Sequence, residues 1–344
     1  MFDRVKLGEK ETGLASYRDA VIEALDEEME RDPDVFILGE DVGRMGGNFA
    51  TTRGLWAKYG ETRVRDTPIS EDAILGTALG ASIQGLRPVA EIMFSSFLGC
   101  AMDEIWNHIG TIHYVTRGLC VPRLTIRTVN VIGRSSGAHH SGRPESALMH
   151  VPGIVVVAPA TAFDAKAMLK FSVRADDPVV FIEHALLYAS AQGDLGGSED
   201  LVPFGKASVR RFGDDVTLVG YSGSVRTVDS AARALERKGI QATVIDLRSL
   251  NPWDREAVCK AAARTHNLVV VEEDSLTAGV GAEVAASVAE ELGPQTVTCI
   301  RRLAAGDSPV PFAPVLEEAI MPSVAKVIDT ASALVGASGP LGRT

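Results

Sequence analysis

Short apolar runs alternate with longer stretches of helical spacing along most of this chain. The runs DVFILGED, RVRDT, RPVAEIMF, PRLTIRTV, GIVVVAP and PVVFIEH are rich in β-branched residues and predict strands. Between them, EDAILGTALGASIQG, LGCAMDEIWNHIGTIHYVTRG and TAFDAKAMLKFSVRA predict helices, and a further helix is expected over about 14–31. Such alternation implies βαβ crossovers and a mostly parallel sheet covered on both faces. This first unit covers 14–187. The stretch YASAQGDLGGSEDLVPFG, 188–205, is rich in Gly, Ser and acids, has neither period, and predicts a linker. A second α/β unit, 206–334, follows with strands DVTLVGYS, QATVIDLRSL, NLVVVEED and VTCIRRLAA. Its helices are VRTVDSAARALERKG, DREAVCKAAARTH and GAEVAASVAEEL. The tail after about 335, VGASGPLGRT, is expected to be disordered. The predicted fold class is therefore α/β, with two doubly wound units.

A chain of 344 residues, 46% of them hydrophobic, is long enough for two cores. No uninterrupted apolar run looks long enough to span a bilayer. The start, MFDRVKLGEKETG, has neither a signal-peptide core nor an Arg/Ser-rich, acid-poor transit character, so a cytoplasmic protein is expected. Cys100, Cys120, Cys259 and Cys299 lie far apart without a CxxC, which suggests buried free thiols rather than disulfides or a zinc site. A net charge of -11 argues against nucleic acid and anionic membranes and suits a basic protein partner.

Open α/β sheets bind ligands at the carboxyl ends of their strands, yet the common nucleotide fingerprints fail here. AGVGAEV, 278–284, breaks the GxGxxG pattern at its third glycine, and GEDVGRMGGNF, 39–49, lacks the Lys-Ser/Thr pair of a phosphate loop. There is no GxSxG elbow and no HExxH zinc pattern. Three polar features remain where a strand ends or a helix begins. Glu71 opens the helix after RVRDTPIS; it either offsets the helix dipole beside a Ser70 cap or presents a carboxyl group to a ligand. FSSF, 94–97, carries Phe94 and Phe97, which are core aromatics or a stacking surface. SSGAHHSGRPE, 135–145, holds His139 and His140 in a loop of small residues, either exposed or available for proton transfer. A carboxyl group, an aromatic face and an imidazole together are suited to hold and work on an aromatic heterocycle.

From about 14 to 330 the chain resembles the β subunit of the thiamine-diphosphate-dependent first component of 2-oxo acid dehydrogenase complexes. The resemblance rests on ordered blocks: ILGEDVG, GNFATTRGLWAKYGETRVRDTPISE, LRPVAEIMF, HSG, VPGIVVVAPATAFDAKAML, PVVFIEHALLY and VIDLRSLNPWD. It implies a pyrimidine-binding first unit, a transketolase-like C-terminal unit, and an α2β2 heterotetramer with the cofactor between subunits. The α subunit would bind the diphosphate and magnesium through a Gly-Asp-Gly motif, which this sequence lacks. Carried over by motif, Glu71 pairs with the pyrimidine ring nitrogen and Phe97 lies beside the ring. Ile69 lends backbone near it, and His140, followed by Ser141, faces substrate and the incoming lipoyl group. Sharing a proton with the ring calls for an apolar surround at Glu71, for which Ile69, Ala73 and Ile74 are the candidates. The implied reaction is oxidative decarboxylation of pyruvate or a branched-chain 2-oxo acid with reductive acylation of lipoamide. The implied further partner is the lipoyl acyltransferase core. Acetoin dehydrogenase β subunits share the pattern, and a non-catalytic α/β binding subunit is the distant alternative. The sequence departs from the family at Ser96, often Asp or Asn, and at Gly142, often Gln; Arg143 adds a cation beside the His140 loop. Some relatives bind potassium near RLTIR with an acid before PVVF; here Ala175 stands at the acid's place, followed by Asp176 and Asp177, so that site does not carry over intact.

Overall fold

A computed structural model describes residues 14–297 and 299–337. Most of the segment expected to be a disordered tail lies outside these residues, although its first positions belong to the helix Val324–Ala337. In chain order the strands are β1 (Ala15–Ser16), β2 (Val35–Gly39), β3 (Val64–Asp66), β4 (Arg87–Ile92), β5 (Thr125–Asn130), β6 (Val155–Val157) and β7 (Val179–His184). They continue as β8 (Gln192–Gly193), β9 (Ser208–Arg211), β10 (Val216–Gly220), β11 (Ala242–Asp246), β12 (Ser249–Asn251), β13 (Asn267–Ser275) and β14 (Cys299–Ala305).

A seven-stranded sheet has the order β12-β6-β7-β5-β4-β2-β3 and is parallel except for β12. A five-stranded sheet has the order β14-β13-β10-β11-β9 and is parallel except for β9. The alternation of side chains along each strand divides the first sheet between two cores. Val35, Ile37, Val89, Val179 and Phe181 face one core with the helices Tyr17–Arg31 and Ala162–Arg174. Phe36, Leu38, Ala90, Ile92, Ile126, Val180 and Ile182 face the other with the helix Glu71–Ile83. That second core continues into the C-terminal unit through Tyr221, Ile245, Leu250, Val270 and Val284, so the two units share one apolar interior. Both faces of the strands being buried explains why they read as nearly continuous apolar runs.

Several local expectations are revised. Of the four cysteines expected to be buried only Cys259 is, while Cys120 and Cys299 are partly exposed and Cys100 is exposed. The first helix begins at Tyr17, where Ser16 and Asp19 form a reciprocal capping box. The start of the expected linker is regular: Leu187–Ser190 is helical and β8 pairs antiparallel with β1. LGCAMDEIWNHIG is not one α-helix but a 3-10 segment, Ser95–Ala101, followed by a π segment, Glu104–Ile109. QATVIDLRSL divides into β11 and β12, because the chain turns at Arg248 (φ +59°) and β12 crosses to pair with β6 of the first sheet. The strand β9 and the helices Pro314–Ile320 and Val324–Ala337 were not foreseen. By length and composition Pro314–Gly336 could cross a membrane. In the fold it is two helices, and the second buries Val327, Ala331 and Leu334 against the five-stranded sheet's core.

Candidate functional site

The strands β5, β4, β2 and β3 are neighbours and run parallel, so the loops that leave their carboxyl ends emerge along one edge. Glu40 follows β2, Glu71 follows β3, Phe94 and Phe97 follow β4, and His140 lies in the loop after β5. Topology thus gathers the polar features that were far apart in sequence.

Glu71 is the first residue of the helix Glu71–Ile83 and is half-buried. Ser70 precedes it but its hydroxyl caps nothing, so the expected side-chain cap is absent. Among the described residues no hydrogen bond or ion pair within the chain engages the Glu71 carboxylate. Its electrostatic neighbour is the buried Glu40, whose carboxyl is pushed up by burial first and then by the charges of Glu71 and Asp41. The charge of Glu71 thus reaches Glu40 and makes its ionised form less favourable. Of the three residues expected to surround Glu71, only Ile74 is buried: Ile69, just before the helix start, is 82% exposed and Ala73 is exposed.

The loop after β4 and the loop after β5 are stitched together. Ser95 Oγ donates to the Gly142 carbonyl at 2.8 Å and Ser96 Oγ to the His139 carbonyl at 2.7 Å. A Cβ on Gly142 would come within 2.6 Å of the Ser96 Cβ, so the two departures from the family pattern face each other and require a small pair. The result is a ring cluster: Phe94 and His140 centroids are 4.8 Å apart, Phe97 and His140 5.4 Å, and Phe94 and Phe97 5.3 Å. His139 is exposed and its ring joins none of these contacts. Arg143 is not a free cation beside the loop; it donates to the Glu273 carbonyl at 3.3 Å, Ser275 Oγ at 3.1 Å and the Ser308 carbonyl at 3.2 Å.

Beneath the cluster, Phe49 packs on Phe94 and on Tyr188, with centroids 5.8 and 5.6 Å apart. The Tyr188 hydroxyl donates to Glu183, which pairs with Arg127, 1% exposed; Arg127 also pairs with Glu91 at 2.7 Å. Burial works against the guanidinium charge, but Glu183 and Glu91 outweigh it, so Arg127 holds its proton more firmly than usual. Replacing Arg127 with Met leaves two buried carboxylates unneutralised and is expected to cost about 3–5 kcal/mol of stability. Urea unfolding measures it, and a loss well below 1 kcal/mol would remove the network from the account.

Where the resemblance raises a potassium site, Asp176 forms an ion pair with Arg123 at 2.7 Å and the Ala175 carbonyl accepts from Arg87 at 3.1 Å. Glu40, Phe49 and Glu183 escaped the sequence reading as site residues. Glu40 could have been found from its place in the middle of ILGEDVG, directly after β2; Phe49 and Glu183 carry no local signal.

Two mostly parallel α/β units, the first with an acid and an aromatic-imidazole cluster at the carboxyl edge of its sheet, make up the chain, and both match transketolase-type families. Residues 14–190 match the family described as "Transketolase, pyrimidine binding domain", and residues 205–327 match "Transketolase, C-terminal domain". The chain is 40% identical to the 2-oxoisovalerate dehydrogenase subunit beta of Bacillus subtilis, over 91% of this chain and 96% of the relative. It is 40% identical to the pyruvate dehydrogenase E1 component subunit beta of Porphyra purpurea, over 93% and 96%. Against the acetoin:2,6-dichlorophenolindophenol oxidoreductase subunit beta of Cupriavidus necator it is 37% identical, over 90% and 94%. A solved split-gene transketolase, described as an inactive beta4 tetramer, superposes with a TM-score of 0.77 at 26% identity, over 93% of this chain and 98% of that one. The chain belongs to the family of β subunits of the first component of 2-oxo acid dehydrogenase complexes.

Proposed function

We propose that this chain is the β half of an α2β2 enzyme that oxidatively decarboxylates a branched-chain 2-oxo acid or pyruvate and passes the acyl group to lipoamide. The observation that carries the reading is Glu71: a half-buried carboxylate at the sheet's carboxyl edge that no hydrogen bond or ion pair engages among the described residues, and whose charge reaches Glu40. That is the condition of a group awaiting a ligand. Thiamine diphosphate, when bound, supplies the nucleophilic carbon and electron sink that decarboxylation of a 2-oxo acid needs. Glu71 would hold a proton at the pyrimidine ring nitrogen. Phe97 would lie against the ring face, and the backbone at Ile69 would border it. The exposed Ile69 side chain is then a surface for the α subunit to cover, and closure would add apolar surround beside Glu71. His140, held between Phe94 and Phe97, would deliver protons to substrate or to the lipoyl dithiolane.

The α subunit would hold the diphosphate with its magnesium ion. The lipoyl acyltransferase core is the proposed second partner, and a net charge of -11 suits a basic docking surface on it. Acetoin cleavage is the second reading, favoured by the likeness to the Cupriavidus chain. Co-expression with the α subunit and assay against pyruvate, branched-chain 2-oxo acids and acetoin tests the substrate, and activity with none of them overturns the proposal. The division of the cofactor site is tested separately. Loss of even two charged contacts to the diphosphate should weaken binding by about 100-fold, so calorimetry should find the isolated chain at least that much weaker than the pair. Equal affinities would end the split-site account.

A further inference from the structure

We propose that Glu317, in the C-terminal unit, is a positioning residue for His140. Its carboxylate is 3% exposed on the helix Pro314–Ile320 and reaches back to the other unit. One oxygen accepts the Gly133 N–H at 2.7 Å; the other accepts the Ser135 N–H at 2.9 Å and faces Ser135 Oγ at 3.4 Å. Both residues have left-handed backbone, φ +80° at Gly133 and +55° at Ser135, and for serine that conformation is unfavourable without an external tie. Phe312 lies against Gly137, and Arg143 fastens the loop's far end to Glu273, Ser275 and Ser308. His140 therefore sits in a loop pinned on both sides by the C-terminal unit, with Glu317 making the two charge-assisted contacts at its root. Freed there, the imidazole would wander from its place between Phe94 and Phe97, and misplacement of about 1 Å is enough to cost a proton transfer up to 100-fold.

This inference rests on the His140 reading above, and the test separates the two. E317A, E317Q and H140A are compared in the assembled enzyme, each checked for melting temperature and cofactor affinity. Amide exchange of peptides spanning 131–138 is followed by mass spectrometry. Rates are measured both for lipoamide acylation and for 2-oxo acid consumption with an artificial electron acceptor. In E317A, exchange at 133–135 should quicken at least about tenfold. Acylation kcat should fall by roughly 10- to 100-fold, with cofactor affinity and the KM for 2-oxo acid unchanged. E317Q keeps the shape and one acceptor, so it should lie between the wild type and E317A in both readouts. It carries the test if E317A does not assemble. Quickened exchange with undiminished acylation, while H140A loses acylation, would show Glu317 to be only a structural tie and overturn the proposal. Wild-type exchange and acylation in E317Q would overturn it too. Wild-type acylation in H140A would remove the His140 reading, and this inference with it.

Discussion

In the assembled enzyme, Glu71→Gln is expected to slow hydrogen–deuterium exchange at the cofactor's thiazolium carbon by about two to four powers of ten. Gln keeps the shape and can still face the ring nitrogen, but it cannot give and take a proton there. A different outcome is expected if Glu71 merely offsets the dipole of its thirteen-residue helix. The substitution would then cost roughly 0.3–1 kcal/mol of stability and leave exchange alone. The structure sharpens the contrast, because the charge of Glu71 repels that of Glu40 and helps push the Glu40 carboxyl up. Removing its charge relieves that repulsion, so the melting temperature of the Gln variant should hold or rise slightly. Near-normal exchange with a lowered melting temperature would return the residue to a helix-end role.

His140→Ala is expected to lower lipoamide acylation by about 100- to 10,000-fold while cofactor binding survives. His139→Ala should change little. The two residues are adjacent, yet only His140 touches Phe94 and Phe97; His139 contributes its carbonyl to Ser96 and leaves its ring exposed. Removing the His139 side chain spares that carbonyl contact. Single-turnover acylation in both variants checks this, and equal losses would mean that the loop, rather than one imidazole, is what the reaction needs.

Much of the first sheet was legible along the chain, because each strand is buried on both faces and β-branched residues repeat through it. The helix Glu71–Ile83 was equally legible, since Ile74, Leu75, Ala78 and Leu79 recur at helical spacing toward one core. The break of Ser95–Ile109 into 3-10 and π segments was not, for its apolar residues fit helical spacing and the departure is one of winding. Nor was β12, three residues whose partner strand belongs to the other unit. The family motifs singled out Glu71, Phe97, His140 and Ile69, but they said nothing of which of these meet.

By itself, then, the sequence determined the alternation of strands and helices, two α/β units, and a set of polar residues at strand ends. These are local matters, written in periods of two and 3.6 residues and in short motifs. Only the tertiary structure decided that the charge of Glu71 reaches Glu40 and that the Ile69 side chain stands in solvent. The same holds for Ser96 being small because Gly142 abuts it, and for the His140 loop being held by a carboxylate 182 to 184 residues further along. A hydrophobic pattern records that a face is buried but not what buries it. A buried carboxylate such as Glu317 leaves no periodic trace, because its partners are backbone N–H groups that every residue but proline carries.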